Sequence, residues 1–217
     1  DGMHIGHMEV INSVKSVAKI KDIPSAVITF DPHPKTIINK NELGEWFDIT
    51  STNKKLEILE QNDIDYVWIV PFDKNYSNIT AQYFMDNYII KYFKPEDIII
   101  GYDHHFGKQR EGNAKFLTKY STKYNYKLHV VKPLKINNVS ISSSQIRQFI
   151  KKCNIESANN FLGWNYELSG QVVKGNGVGN KINFPTANVN LENKNQLIPG
   201  KGAYCVDVEV DNQIYLG

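Results

Sequence analysis

Apolar positions along the chain follow a helical period and a strand-like run in turn. From Met8 to Ile20, Val10, Ile11, Val14, Val17 and Ala18 recur at helical spacing, and Ser25 to Phe30 then reads as a short buried strand. The alternation continues with a predicted helix over 53–61, a strand over 66–70, a helix over 80–92 and a strand over 97–101. A helix over 113–124 and a strand over 127–131 complete the series. Thr80 suits a helix N-cap, and Phe84, Tyr88 and Tyr92, at steps of four, give that helix one aromatic stripe expected to pack into the core. Right-handed crossovers wind such a series into a doubly wound parallel α/β sheet covered on both faces, with ligands at the carboxyl ends of its strands.

Two short helices are predicted over 143–151 and 155–161, and after Gly163 the helical period stops. The runs 166–173, 184–189 and 203–210 read as strands separated by Gly, Asn and Pro clusters, the texture of a small antiparallel β-barrel. The division falls near residue 160, giving units of 1–160 and 161–217.

The composition of the 217 residues, 41% hydrophobic and 22% charged, is that of a globular chain with a core to bury. A net charge of +2 offers no clustered basic surface for nucleic acid, whereas small phosphorylated ligands fit. The two cysteines, Cys153 and Cys205, have neither metal-ligand spacing nor a disulfide framework, and a reducing cytoplasm is expected. No run of about 18 apolar residues is present, so no membrane span is expected.

The first chemical signal is Asp1-Gly2-Met3-His4-Ile5-Gly6-His7, opening the first helix. It puts His4 and His7 about one turn apart at the positive end of the helix dipole, and Gly6 between them lets backbone approach a phosphate. A metal pair is disfavoured because no third ligand lies at convincing spacing. The second signal is Ile141-Ser142-Ser143-Ser144-Gln145-Ile146-Arg147, in which Ser143 is expected to cap a helix. Arg147, one turn in, would point toward the same pocket, where a guanidinium fork suits a leaving pyrophosphate.

The His-Ile-Gly-His run is similar to the signature of nucleotidylyltransferases and class I aminoacyl-tRNA synthetases, and the Ser-Ser-Ser-x-x-Arg run to the Ile-Ser-Ser-Thr-x-x-Arg motif of the former. A Lys-Met-Ser-Lys-Ser-like loop, expected of a synthetase, is not found. Two further runs, Thr29-Phe30-Asp31-Pro32-His33-Pro34 and Gly101-Tyr102-Asp103-His104-His105-Phe106-Gly107 with Arg110, Gly112 and Asn113, lie at strand ends. Later come Gly170 to Gly179 and Phe184-Pro185-Thr186-Ala187-Asn188. Together these motifs resemble the bacterial bifunctional riboflavin kinase/FAD synthetase family over nearly the whole chain.

The resemblance implies a Rossmann-like first unit that transfers AMP from ATP to FMN, giving FAD and pyrophosphate by direct in-line attack. His4, His7 and Arg147 would be catalytic, with Gly2, Gly6, Ser142, Ser143 and Ser144 holding phosphate and Asp103 near the ribose. Phe30, Asp31, Pro32 and His33 would line the flavin side. The second unit would belong to a kinase making FMN from riboflavin and ATP, with Gly175 and Gly179 in its glycine loop and Thr186 and Asn188 holding Mg²⁺ and ATP phosphates. Ser144 stands where the family usually has Thr, His104 where it has Phe, and Asn183 where it has Gly. The family's pattern also implies a strand and a Gly-Asn-Phe lead-in before Asp1, and a catalytic glutamate with a flavin-binding segment after Gly217. Residues 1–217 alone are therefore expected not to phosphorylate riboflavin.

Two other readings stay open at this point. A nucleotidylyltransferase with a different acceptor, such as phosphopantetheine, nicotinamide mononucleotide or an alcohol phosphate, accounts for the two histidines but not for Pro-Thr-Ala-Asn. A non-catalytic flavin or nucleotide-binding module keeps the pocket without turnover.

Overall fold

The computed structural model describes residues 1–38, 46–136, 139–175 and 186–217. Helix α1 (Ile5–Lys21) leads to strand β1 (Ala26–Asp31), a short helix α2 (Pro34–Ile38), α3 (Thr52–Gln61) and β2 (Tyr66–Pro71). The next helix starts as α4 (Ala81–Phe84) and continues in π-form over Met85–Phe93 before β3 (Asp97–Gly101), α5 (Ala114–Tyr124) and β4 (Lys127–Val131). The short strands β5 (Lys135–Ile136) and β6 (Val139–Ser140) precede α6 (Ser143–Lys151) and α7 (Ile155–Leu162). The chain then forms β7 (Gly170–Val173), β8 (Asn188–Leu191), β9 (Asp207–Val210) and β10 (Gln213–Leu216).

The local period thus places the elements, with α2, β5, β6 and β10 as additions and with β7 and β9 starting at Gly170 and Asp207 rather than at 166 and 203. The sheet needs correction. β1 pairs with β2 and β3 with β4, both parallel, as two separate two-stranded sheets rather than one continuous doubly wound sheet. Residues of β1 and β3, together with the Val10, Ile11, Val14 and Val17 side of α1, line a common cleft of about 930 Å³. Similarly, β7–β8 and β9–β10 are two separate antiparallel hairpins, and no ladder closes them into a barrel among the described residues. The predicted strand 184–189 lies in part outside the described residues.

The aromatic stripe also departs from expectation. Phe84 is buried, but Tyr92 is 66% exposed. The π-form bonds i to i+5, so a step of four drifts off one face and a step of five stays on it. Tyr88 and Phe93 both pack on Trp68, at 5.6 and 5.5 Å between ring centres, and Tyr92 turns outward.

Three apolar clusters hold these elements together. Ile11, Leu59 and Ile64 join α1 and α3 to β1 and β2 through Val27 and Val67. Phe84, Met85, Ile89, Ile100, Leu117 and Tyr126 tie the long helix and α5 to β3, and take in Ile28 and Trp68 from the other half-sheet. Ile49, Ile146, Ile150, Ala158, Leu162 and Leu197 form the third, so a residue well beyond position 160 helps fill the core under α6 and α7.

Candidate active site

The turn into α1 is built around glycine and histidine. Gly2 has φ +92°, and a Cβ there would sit 3.3 Å from Ile49 Cδ1 and 3.5 Å from Ser143 Oγ. His4 is the N-cap in extended backbone, and its carbonyl accepts the His7 amide at 2.7 Å. The two imidazoles are tilted by 33° to each other, with ring centres 3.8 Å apart. A Cβ on Gly6 would come within 3.1 Å of the His4 ring, so glycine lets that ring settle over the helix start.

Burial lowers the His4 pKa to about 4, against smaller opposing effects from a backbone hydrogen bond and the Asp103 charge. His7 is pushed down to about 3, first by burial and then by His4. Part of the His7 surface is open, but its Nδ1, like that of His4, is buried and without a hydrogen-bond partner among the described residues. At neutral pH the pair is uncharged, and each ring can offer one N–H to an anion.

The serine-rich run comes to the same place from far along the chain. Ser142, rather than Ser143, is the N-cap of α6, accepting from the Gln145 amide. Ser143 is thereby free to donate its hydroxyl to the Asp1 carbonyl at 2.7 Å, which ties the two motifs together. Arg147 is buried, donates from Nε to the Phe47 carbonyl at 3.0 Å and pairs with the Asp1 carboxylate. Burial lowers its pKa to about 10, so it stays charged at neutral pH. Ser142, Ser143, Ser144 and Arg147 line the cleft with His4, Gly6, His7 and Asp103.

On the other flank, Phe30 packs edge-on against Phe72 and Tyr76, and it lines the cleft with His33. Asp31 and Pro32 are exposed at the turn, where Thr52 donates its hydroxyl to Asp31 Oδ2 at 2.9 Å. His33 stacks on Trp46 at 5.1 Å, and the same indole carries Arg147 at 3.8 Å and Lys35 at 4.4 Å. Sequence reasoning missed Trp46 and Lys35. No motif contains them, and the only signal was the presence of an indole and a cation just after the double-proline turn.

In the second part of the chain, Val173 pairs with Asn188 across the β7–β8 ladder. A Cβ on Gly175 would fall 2.0 Å from Asn188 Nδ2, so this glycine makes room for the amide. Thr186 and Asn188 are both exposed. Gly179, with Asn183, Phe184 and Pro185, lies outside the described residues. Among the described residues no three His, Cys, Asp or Glu side chains converge as a metal site.

Residues 1–145 match the FAD synthetase family and residues 162–217 the riboflavin kinase family. The chain belongs to the bifunctional riboflavin kinase/FMN adenylyltransferase family. A member from Listeria monocytogenes is 34% identical over 217 residues, covering 100% of this chain and 68% of that protein. The Escherichia coli K12 member is 32% identical over 208 residues, 96% of this chain and 65% of that protein. The Bacillus subtilis 168 member is 32% identical over 217 residues and 67% of its length. The chain thus spans about two thirds of these relatives. A crystal structure of a Streptococcus pneumoniae protein described as macrolide-efflux superposes with TM-score 0.86 at 30% identity, over 100% of this chain and 69% of that one. No described helix here is long and apolar enough to cross a membrane.

Proposed function

We propose that this chain transfers AMP from ATP to FMN, forming FAD and pyrophosphate, and that residues 161–217 are part of a riboflavin kinase unit that makes FMN and ADP from riboflavin and ATP. The observation that carries the first activity is the convergence of the His4–His7 pair with Ser143 and Arg147 on one cleft, which Phe30 and His33 enter from the flavin side. A phosphate oxygen of FMN attacks the α-phosphorus of ATP in line, the bond to the β-phosphate oxygen breaks, and pyrophosphate leaves with that electron pair. No proton need move at the attacking oxygen, which is already ionised at neutral pH. His4 and His7 donate to the α-phosphate as its charge rearranges, while Ser142 to Ser144 and Arg147 hold the β and γ phosphates and Asp103 the ribose.

Mg²⁺ fits this reading as a partner of the ATP phosphates, offsetting their charge. In the kinase unit the Thr186 hydroxyl and the Asn188 amide oxygen are hard donors of the kind Mg²⁺ takes, and Gly175 leaves the space in which that amide sits. We place the division between the units near residue 160, the first being a Rossmann-like nucleotidylyltransferase and the second an antiparallel barrel. Both would act in the cytoplasm on ATP, FMN and riboflavin, without nucleic acid or membrane.

The test is to incubate the protein with ATP, Mg²⁺ and FMN and follow FAD and pyrophosphate by chromatography. Equal amounts of both support the reading. Flavin binding without turnover points to a binding module, and turnover only with another phosphorylated acceptor moves the chain to a different nucleotidylyltransferase activity. His7→Ala should fold and bind ATP while losing most adenylyl transfer, because its contact strengthens in the transition state.

A further inference from the structure

Asp1 opens the histidine motif, yet no part in the reaction has fallen to it. Three contacts tie it to separate segments of the site. Its carbonyl accepts the Ser143 hydroxyl at 2.7 Å, its Oδ1 accepts the Ile49 amide at 3.1 Å, and its Oδ2 meets Arg147 Nη2. The ion pair is shielded from solvent, with 4% of the Asp1 side chain and 11% of the Arg147 side chain exposed. Neither has a second ion partner among the described residues, and both line the cleft.

The guanidinium is therefore held from several directions. Its carbon lies 3.8 Å from the centre of the Trp46 ring, the Phe47 carbonyl accepts from Nε at 3.0 Å, and Asp1 faces Nη2. A guanidinium carries five N–H groups in a fixed fork, and those not engaged here remain for phosphate oxygens. Its charge, however, is matched by Asp1 before any substrate arrives. A buried ion pair contributes little to stability beyond an apolar pair of the same size, so its place on the wall of this cleft calls for another reason. A lone buried cation would be costly until an anion reached it and would then hold that anion tightly. A paired one positions the anion and holds it less strongly.

We infer that Asp1 is the positioning residue for the leaving group: it fixes Arg147 against Trp46 and moderates its charge, so that pyrophosphate is met during transfer and released afterwards. The inference rests on the adenylyl-transfer reading proposed for this cleft.

The experiment is calorimetric titration of the whole chain with pyrophosphate and Mg²⁺, with thermal midpoints taken with and without pyrophosphate. It compares the wild type with Asp1→Asn, Asp1→Glu and Asp1→Asn/Arg147→Met. Asp1→Asn should lower the midpoint of the empty protein, tighten pyrophosphate binding about tenfold, and gain more in midpoint from pyrophosphate than the wild type does. Pyrophosphate should inhibit its FAD formation correspondingly more strongly. Asp1→Glu keeps the charge, so its pyrophosphate affinity should stay within about threefold of the wild type. The double variant removes both charges, so it should recover the midpoint and bind pyrophosphate no more tightly than the wild type. Unchanged or weaker pyrophosphate binding in Asp1→Asn would assign Asp1 a purely structural role and overturn the inference. Equal tightening in Asp1→Glu or in the double variant would do the same, as would an Asp1→Asn chain that stays unfolded even in saturating pyrophosphate. A wild type that neither binds pyrophosphate nor makes FAD removes the underlying reading instead, a result distinct from all of these.

Discussion

Arg147 sits on Trp46, its guanidinium carbon 3.8 Å from the ring centre, although the two residues are 101 positions apart. The indole is fixed in turn by a 3.1 Å hydrogen bond to Asp48 and by stacking on His33. It therefore orients the arginine that would meet the leaving pyrophosphate and spaces it from the double-proline turn that carries His33. A cation–π contact of this kind is worth about 0.5–2 kcal/mol. Trp46→Ala should lower kcat/KM for ATP by roughly 3- to 30-fold, and Trp46→Phe, which keeps a ring face, should restore much of it. Equal losses in both variants would assign the effect to the Asp48 hydrogen bond rather than to the stack.

The neutral histidine pair makes stability depend on acid. The folded pKa values, about 4 for His4 and about 3 for His7, lie below the ordinary 6.5, so between roughly pH 4 and 6 the unfolded chain holds two protons that the folded chain lacks. Their stabilising contribution is complete above pH 6.5 and is lost as pH falls through the folded values. Across that window the pair should add about 2.7 kcal/mol per pH unit to the slope of unfolding free energy, two protons at about 1.36 each. Denaturant titrations from pH 4 to 7 should show this slope reduced by nearly that amount in His4→Gln/His7→Gln. An unreduced slope would mean that the pair is already charged in the folded state.

The contrast between the histidines and Trp46 shows what the chain discloses locally. His4 and His7 are three residues apart at a helix start, so helix geometry alone brings their rings together. The meeting of Ser143 with Asp1 was legible only because each lay in a motif with a known partner, since a contact spanning 142 positions has no local signature. Trp46 had no such motif, and its contacts with His33 and Arg147 are what give it meaning. Strand positions such as Asp97–Gly101 followed from hydrophobic runs, but the pairing between strands is a long-range property, and two half-sheets stand where one was expected. Tyr92 was misplaced for a third reason, because a π-form helix changes the period on which the stripe was read.

Gly175 offers a way to disturb the second unit without touching the first. An added Cβ would overlap the Asn188 amide at 2.0 Å from Nδ2, and so short a side chain can relieve the clash only by turning its amide away. Gly175→Ala should therefore weaken Mg-ATP use by riboflavin kinase in a chain that has that activity, with adenylyl transfer unchanged. Measuring both rates on one preparation checks this, and a parallel loss of the two would show that the substitution acts through folding.

The two units share a core residue. Leu197 lies in the segment matched by the riboflavin kinase family, yet its side chain is 3% exposed and packs with Ile49, Ile146, Ile150 and Leu162. Its amide donates to the Asp48 carbonyl at 2.8 Å, and the Asp48 amide donates to the Asn195 carbonyl at 2.7 Å. The strand-like contact thus holds the very stretch that carries Trp46. Leu197→Ala should cost about 2–5 kcal/mol, the usual range for a leucine truncated in a packed core, and the cost should appear in the unfolding of the adenylyltransferase half. It should also raise KM for ATP, because Trp46 and Arg147 depend on that stretch. A chain cut after Gly163, which keeps α7 and its buried Leu162, should behave like a stronger form of the same variant, whereas full adenylyl transfer and an unchanged midpoint in the cut chain would show that Asn195 to Leu197 merely rest on the surface of a self-sufficient unit.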